Sequence, residues 1–180
     1  TPRLDPTALT AIDVHVHLEA PKTTNAADAA ASKYFGDSGA ARDGAALVDY
    51  YRSRNMACVV FTVDERLTGR PQVSNDAVID LARANPDVVI PFCSLDPTRG
   101  PEAVREAKRL VSDGVVRGLK LHPPLQQFSP NDRLAYPLYE VFAEAKLPVL
   151  FHTGHSGIGT GIATTGVIAR QTMSLENTAD

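Results

Sequence analysis

Apolar runs alternate with segments of helical periodicity along most of the chain. Runs with almost no polar residue predict strands buried on both faces, and apolar positions three and four residues apart predict helices between them. The predicted strands are Ala11–Leu18, Met56–Asp64, Val88–Leu95, Val116–Leu121 and Val149–His152. The predicted helices are Asp43–Asn55, Asp76–Ala84, Glu102–Ser112 and Tyr136–Lys146. This strict alternation predicts an α/β fold with a parallel sheet.

The order of elements is that of a TIM (β/α)8 barrel, of which the chain carries strands one to five. A complete barrel has about 250 residues, so we expect residues 1–180 to be the N-terminal part of a single barrel domain. Such a part has two open sheet edges, and we therefore expect a longer protein or a second chain that covers them. A flavodoxin-like sheet with strand order 2-1-3-4-5 is the alternative fold. In a barrel, residues 19–42 would form a long loop over the site, and a fifth helix would begin near Ser174.

All five histidines lie at or just after the predicted C-terminal ends of strands. His15 and His17 end the first strand, His122 follows the fourth, His152 ends the fifth and His155 lies three residues further on. A barrel brings its C-terminal strand ends together around one axis, where the active site is built. Because neutral imidazole is the commonest metal ligand, this placement predicts a metal site.

The first motif has the spacing of a ligand pair. Alternation along a strand predicts that Asp13, His15 and His17 share one face, with the apolar residues at 12, 14 and 16 on the other, against helices. The Cα atoms of the two histidines would lie about 6–7 Å apart, from the ~3.3 Å rise per residue. Both Nε2 atoms could then reach one zinc ion at ~2.0–2.1 Å. The alternative is a surface strand with two solvated histidines.

His152 is the preferred third ligand, because it ends an apolar run where the chain must turn. Two histidines from the first strand and one from the fifth would provide three nitrogen ligands and an open position. That arrangement is typical of catalytic rather than structural zinc sites.

Lys120 and His122 repeat the i, i+2 pattern on the fourth strand. A lysine that points into a barrel is costly unless it pairs or loses its charge. An ion pair with Asp13, Asp64 or a substrate carboxylate is the preferred role of Lys120, and carboxylation by CO₂ to bridge two metals is the alternative. We predict that Lys120, His122 and His155 bind substrate, with Lys120 and His155 as the catalytic groups; a solvated loop residue is the alternative for His155.

Composition narrows the class of protein. The formal net charge of −3 argues against a nucleic-acid binder, and no apolar run reaches the 18 residues typical of a membrane span. The N-terminal residues do not resemble a signal peptide, and Cys58 and Cys93 lie in apolar runs, as in proteins of reducing compartments. We therefore expect a cytoplasmic homo-oligomer that acts on a small molecule and binds neither nucleic acid nor membrane.

Three motifs together resemble the amidohydrolase superfamily: Asp-x-His-x-His at 13–17, Gly-Leu-Lys-Leu-His-Pro at 118–123 and Phe-His-Thr-Gly-His at 151–155. More narrowly, they resemble the branch that includes aminocarboxymuconate-semialdehyde decarboxylase, resorcylate decarboxylases and hydrolases that cleave β-ketoacyl-CoA. The resemblance spans about residues 11–157 and implies a distorted barrel with a divalent metal, usually zinc, held by His15, His17 and His152. Family members add a histidine on strand six and an aspartate on strand eight.

The expected activity is that of a metal-dependent hydrolase, which uses a metal-activated water on a small carbonyl or carboxylate compound. Non-oxidative decarboxylation is the alternative within the same superfamily. A metal-binding module without catalytic activity is the second alternative, because the strand-eight aspartate is not among these residues.

Overall fold

A computed structural model describes residues 4–20, 43–67 and 72–153 of the chain. Its five strands are β1 (Ala11–His17), β2 (Met56–Phe61), β3 (Val89–Ser94), β4 (Gly118–Leu121) and β5 (Val149–Phe151). Its helices are α1 (Gly44–Arg52), α2 (Asn75–Ala84), α3 (Pro101–Ser112), α4 (Pro123–Gln126) and α5 (Tyr136–Glu144), with 3₁₀ turns at Pro97–Arg99 and Arg133–Ala135. Every predicted strand and helix among these residues is confirmed; α4 and the two turns were not predicted.

The five strands form one parallel sheet in the order β1-β2-β3-β4-β5. Sequential order is that of a barrel, and it excludes the flavodoxin-like alternative, in which the first strand lies between the second and the third. All five C-terminal strand ends consequently lie at the same edge of the sheet. The domain boundary at 1–180 stays a prediction.

Local signals explain where α1, α2 and α3 start. The Asp43 carboxylate accepts from the Ala46 N–H before α1, and the Ser74 hydroxyl accepts from the Ala77 N–H before α2. These bonds satisfy N–H groups that have no partner within the helix. Pro101 opens α3 at a position where no backbone donor is needed.

The sheet has an outer core under the helices and a smaller inner cluster. The outer core divides into one cluster around β1 and β2 with α1 and α2, and another around β3 and β4 with α3 and α5. The inner cluster consists of Val59, Phe61 and Phe92, with Ile90 and Leu150 packed against it. Phe61 and Phe92 thus form an aromatic floor on the inner face of the sheet, beneath the strand ends.

The alternation predicted for β1 is wrong at one point, because the strand shifts its register against β2. Asp13 pairs with Cys58 whereas Val16 pairs with Val60, so three steps along β1 match two steps along β2. Residues paired across parallel strands point to the same side, and Cys58 and Val60 belong to the outer cluster. Asp13 therefore faces outward with Val16, and does not share the inner face with His15 and His17.

The same shift changes the apolar residues of β1. Ile12 pairs with Ala57 on the other face from Cys58, and Ile12 and Val14 are 41% and 57% exposed. Of the three apolar residues predicted to pack against helices, only Val16 lies in the outer core.

Two expectations about the fold fall on undescribed residues: most of the loop at 19–42 and the helix near Ser174. Within the described ranges, no helix has the length and apolarity that crossing a membrane requires.

We expect Gly118→Ala to lower the free energy of unfolding by about 1–3 kcal/mol, as overpacking of a core does. Gly118 pairs with Phe92 on the inner face, and an added Cβ would overlap the Phe92 ring. Gly44→Ala is the matched control: its Cβ would lie 3.0 Å from Leu81 Cδ1, the end of a flexible side chain. Denaturant unfolding of the full-length protein checks both, and equal stability of the Gly118 variant and wild type would contradict the packing described.

Candidate active site

The two histidines of β1 form a close pair on the inner face. His15 Nε2 and His17 Nε2 lie 3.1 Å apart, and the ring centroids are separated by 5.2 Å. Both rings contact Phe61 edge-on, at centroid distances of 5.4 Å and 4.9 Å. The aromatic floor therefore supports both imidazoles from below.

His122 and His152 come together at the ends of the neighbouring strands β4 and β5. Leu121 pairs with Phe151, and the His152 N–H donates to the Leu121 carbonyl at 2.9 Å, so the two histidines lie side by side. Their rings stack with centroids 3.9 Å apart. The His152 centroid is also 6.1 Å from that of His15.

The strand ends thus bring four of the five histidines to one place. The fifth, His155, lies outside the described residues, and its predicted role in substrate binding and catalysis stays a prediction. His122 is almost fully buried. The chain turns into α4 directly after His122.

Lys120 points into the same inner space, as the sequence predicts. Its side chain is fully buried, and Nζ lies 4.8 Å from the centroid of the Phe61 ring. Among the described residues, Nζ has no hydrogen-bond partner. Of the carboxylates considered as its partner, Asp13 faces outward and Asp64 is paired with Arg99 at 2.6 Å. The described residues therefore do not supply an internal ion pair for Lys120.

Burial controls the charge of this cluster. Loss of hydration lowers the pKa of Lys120 to about 8. Burial, then His152 and Lys120 nearby, lowers the pKa of His122 to about 2. Burial, then Lys120, also lowers the pKa of His15 below its usual range. At neutral pH His15 and His122 are consequently neutral imidazoles, the form that binds metals.

The His15–His17 pair fits a divalent metal. Two nitrogen ligands with bonds of ~2.0–2.1 Å to one tetrahedral ion lie roughly 3.3 Å apart, close to the 3.1 Å between the two Nε2 atoms. In the absence of an ion, the same contact is an N–H···N hydrogen bond in which one ring donates and the other accepts.

The third ligand is not in place in this geometry. Within residues 4–20, 43–67 and 72–153, no group of three or more His, Cys, Asp and Glu side chains is arranged to hold one metal ion. The His152 ring lies beside the pair but stacks on His122. Ligation by His152 stays a prediction.

Gln126, which sequence reasoning missed, joins three strand ends. Its Oε1 accepts from the His122 N–H at 2.8 Å, and its Nε2 donates to the carbonyls of Asp64 at 2.9 Å and Leu95 at 3.2 Å. These backbone groups follow β4, β2 and β3. A glutamine that follows Pro123 and Pro124 gives no sequence signal for this role. All three of its partners are backbone groups, and two of them are distant in sequence.

Solved structures resemble this fold at low sequence identity. A TIM-barrel protein of Bordetella bronchiseptica, Bb4693, has 20% identity and a TM-score of 0.56, with 82% of this chain and 57% of that chain covered. The 5-carboxyvanillate decarboxylase of Novosphingobium aromaticivorans, with bound manganese, has 11% identity, a TM-score of 0.56 and coverages of 86% and 52%. The 5-carboxyvanillate decarboxylase of Sphingomonas paucimobilis has 14% identity, a TM-score of 0.56 and coverages of 85% and 52%.

These likenesses show the fold: the five parallel strands are part of a TIM barrel. The chain spans 52–57% of the length of these three structures. A search of curated proteins found no match. The family profile Amidohydro_2, described as Amidohydrolase, matches residues 12–180 and includes the histidines and the lysine of the site. The chain belongs to the amidohydrolase family.

Proposed function

We propose that the protein is a metal-dependent hydrolase that acts on a small carbonyl or carboxylate compound. The observation that carries the proposal is the 3.1 Å separation of His15 Nε2 and His17 Nε2, on the same inner face as the buried ammonium of Lys120. A ligand pair beside an unpaired positive charge is suited to a substrate that is anionic or has a polarisable carbonyl.

His15 and His17 would hold a divalent ion, with His152 as the proposed third ligand. Such an ion supplies an activated water and a polarised carbonyl when it is bound. Zinc is the proposed ion because imidazole suits it, and manganese, which is bound in one of the similar decarboxylases, is the second choice.

Lys120 and His122 would bind the substrate. Lys120 Nζ and His122 Nδ1 are both buried without a hydrogen-bond partner in the described part of the chain, and such groups are costly to retain unless a ligand satisfies them. A substrate carboxylate or carbonyl oxygen would satisfy both. With a pKa of about 8, Lys120 can also release or accept a proton near neutral pH, and His155 is proposed to assist it.

A small open cleft of about 50 Å³ borders His17, and Thr62, Glu65 and Leu125 are among its lining residues. Both polar and apolar residues line this cleft. The proposed partner is a small molecule; a homo-oligomeric state and a cytoplasmic location also stay predictions.

Non-oxidative decarboxylation is the second candidate. The aromatic floor of Phe61 and Phe92 would favour loss of charge from a bound carboxylate, and two of the similar structures are decarboxylases. The two reactions differ in product: hydrolysis incorporates solvent oxygen, whereas decarboxylation releases CO₂. Incubation of the metal-loaded, full-length protein with small carboxylates, amides and esters in ¹⁸O-water, with a parallel CO₂ assay, separates them. Metal binding without either product would favour the non-catalytic alternative.

We expect His15→Ala and His17→Ala each to weaken binding of Zn²⁺ or Mn²⁺ by more than about 100-fold, since even the loss of residues that orient a ligand costs 10–100-fold. His122→Ala is the control and should keep the affinity within a small factor. Titration against a chromophoric chelator measures all three in the full-length protein. His152→Ala in the same titration decides whether it is a ligand, and wild-type protein that binds no divalent ion would refute the proposed function.

We expect Lys120→Met to raise the free energy of unfolding of the metal-free protein by about 3 kcal/mol below pH 8, from ~1.4 kcal/mol per pKa unit. The pKa of Lys120 is about 8 in the folded protein and ordinarily 10.5. Between these two pH values, the unfolded wild type binds more protons than the folded state. Wild-type stability therefore rises with pH, and the advantage of the variant should disappear above about pH 10.5.

The exposed Lys108→Met variant is the control and should follow wild type at every pH. Denaturant titrations between pH 7 and 11 give the comparison. The Lys120 variant should also lose turnover while it retains metal. A Lys120 variant less stable than wild type at pH 7 would show that the buried ammonium has a partner in the intact protein.

A further inference from the structure

The register shift in β1 occurs where the strand must turn its histidines inward. Asp13 faces the outer core with its partner Cys58, whereas His17 pairs with Phe61 of the aromatic floor. Residues 14 and 15 have no paired residue in β2. The ligand pair therefore starts on a stretch of strand that lacks regular ladder pairing, and its orientation depends on another restraint.

We infer that Tyr51 and Asp13 are the positioning residues of the His15–His17 pair, and this inference rests on the proposed metal-binding function. Asp13 Oδ1 accepts from the His15 N–H at 3.0 Å, and Asp13 Oδ2 accepts from the Tyr51 hydroxyl at 2.7 Å. One carboxylate thus joins the backbone of the first ligand to a side chain of α1. The bond to the His15 N–H takes the place of a ladder bond at the shift.

Tyr51 is a rigid anchor for this connection. It is buried in the outer core, in the same cluster as Leu47, Val48 and Cys58. Burial, and then the hydrogen bond to Asp13, raises the pKa of Tyr51, so that its hydroxyl retains the proton it donates. Tyr51 and Asp13 therefore hold the His15 backbone in a fixed position relative to α1.

Pre-organisation of the ligand pair is the expected benefit. Two imidazoles held 3.1 Å apart need little rearrangement to accept an ion, whereas a loosened strand must be ordered when the ion binds. Residues that orient metal ligands typically contribute 10–100-fold to metal affinity. Because Tyr51 acts through Asp13 and the backbone, we expect the lower end of that range, about 10-fold.

The test is Tyr51→Phe in the full-length protein, with Zn²⁺ affinity measured by chelator competition. The matched control is Tyr139→Phe, because the Tyr139 hydroxyl donates to the Pro130 carbonyl at 2.8 Å, away from β1. We expect about 10-fold weaker binding for Tyr51→Phe and unchanged binding for Tyr139→Phe. A thermal unfolding scan of both variants accounts for general loss of stability.

Two substitutions of Asp13 add a rescue comparison. Asp13→Asn retains an oxygen for the His15 N–H and an amide that can donate to the Tyr51 oxygen, so its Zn²⁺ affinity should stay closest to wild type. Asp13→Ala loses both bonds and should bind more weakly than Tyr51→Phe. Hydrogen exchange of the His15 amide in the metal-free protein gives a readout independent of the ion, and it should be faster in Asp13→Ala than in wild type.

The outcomes separate this inference from the proposed function. Wild-type affinity in Tyr51→Phe would overturn the positioning role and leave the metal site intact. Equal losses in Tyr51→Phe and Tyr139→Phe would also overturn it, because the cause would then be general destabilisation. Wild-type protein that binds neither Zn²⁺ nor Mn²⁺ would overturn both.

Discussion

Parallel pairing of five consecutive strands is the constraint on which the site depends. Once each strand pairs with the next, residues at the same level must point to the same side. Ser94 is then level with Lys120, and Lys120 with Leu150. The continuation of this register places His122 beside His152. Groups distant in sequence become neighbours without any side-chain interaction of their own, and their chemistry follows from that proximity.

Much of the fold could be predicted because buried parallel strands and capped helices have strong local patterns. The inward direction of Lys120 also followed from alternation, since β4 is regular. The same rule failed at Asp13, because a register shift depends on tertiary contacts such as that with Tyr51. Gln126 could not be found either, since its three partners are backbone atoms brought together only by the fold.

The buried polar groups of the candidate site are unfavourable for folding. Lys120 and His122 are buried with polar atoms that the described protein atoms do not satisfy, and burial opposes charge on both. Apolar residues of similar volume would be favourable at these positions for folding alone. A lysine and neutral imidazoles over an aromatic floor are the cost in stability expected of the proposed active site, since active sites commonly lose stability in favour of function.

Gln126 affects which residues at the C-terminal ends of β2, β3 and β4 can change during evolution. Its amide forms hydrogen bonds with main-chain atoms of Asp64, Leu95 and His122, and so the connection does not depend on which side chains stand at those three positions. The side chains at these three positions can therefore be exchanged while the strand ends keep their spacing. The hydrogen bonds of Gln126 thus hold the strand ends together whatever side chains stand there, which leaves those side chains open to evolutionary change.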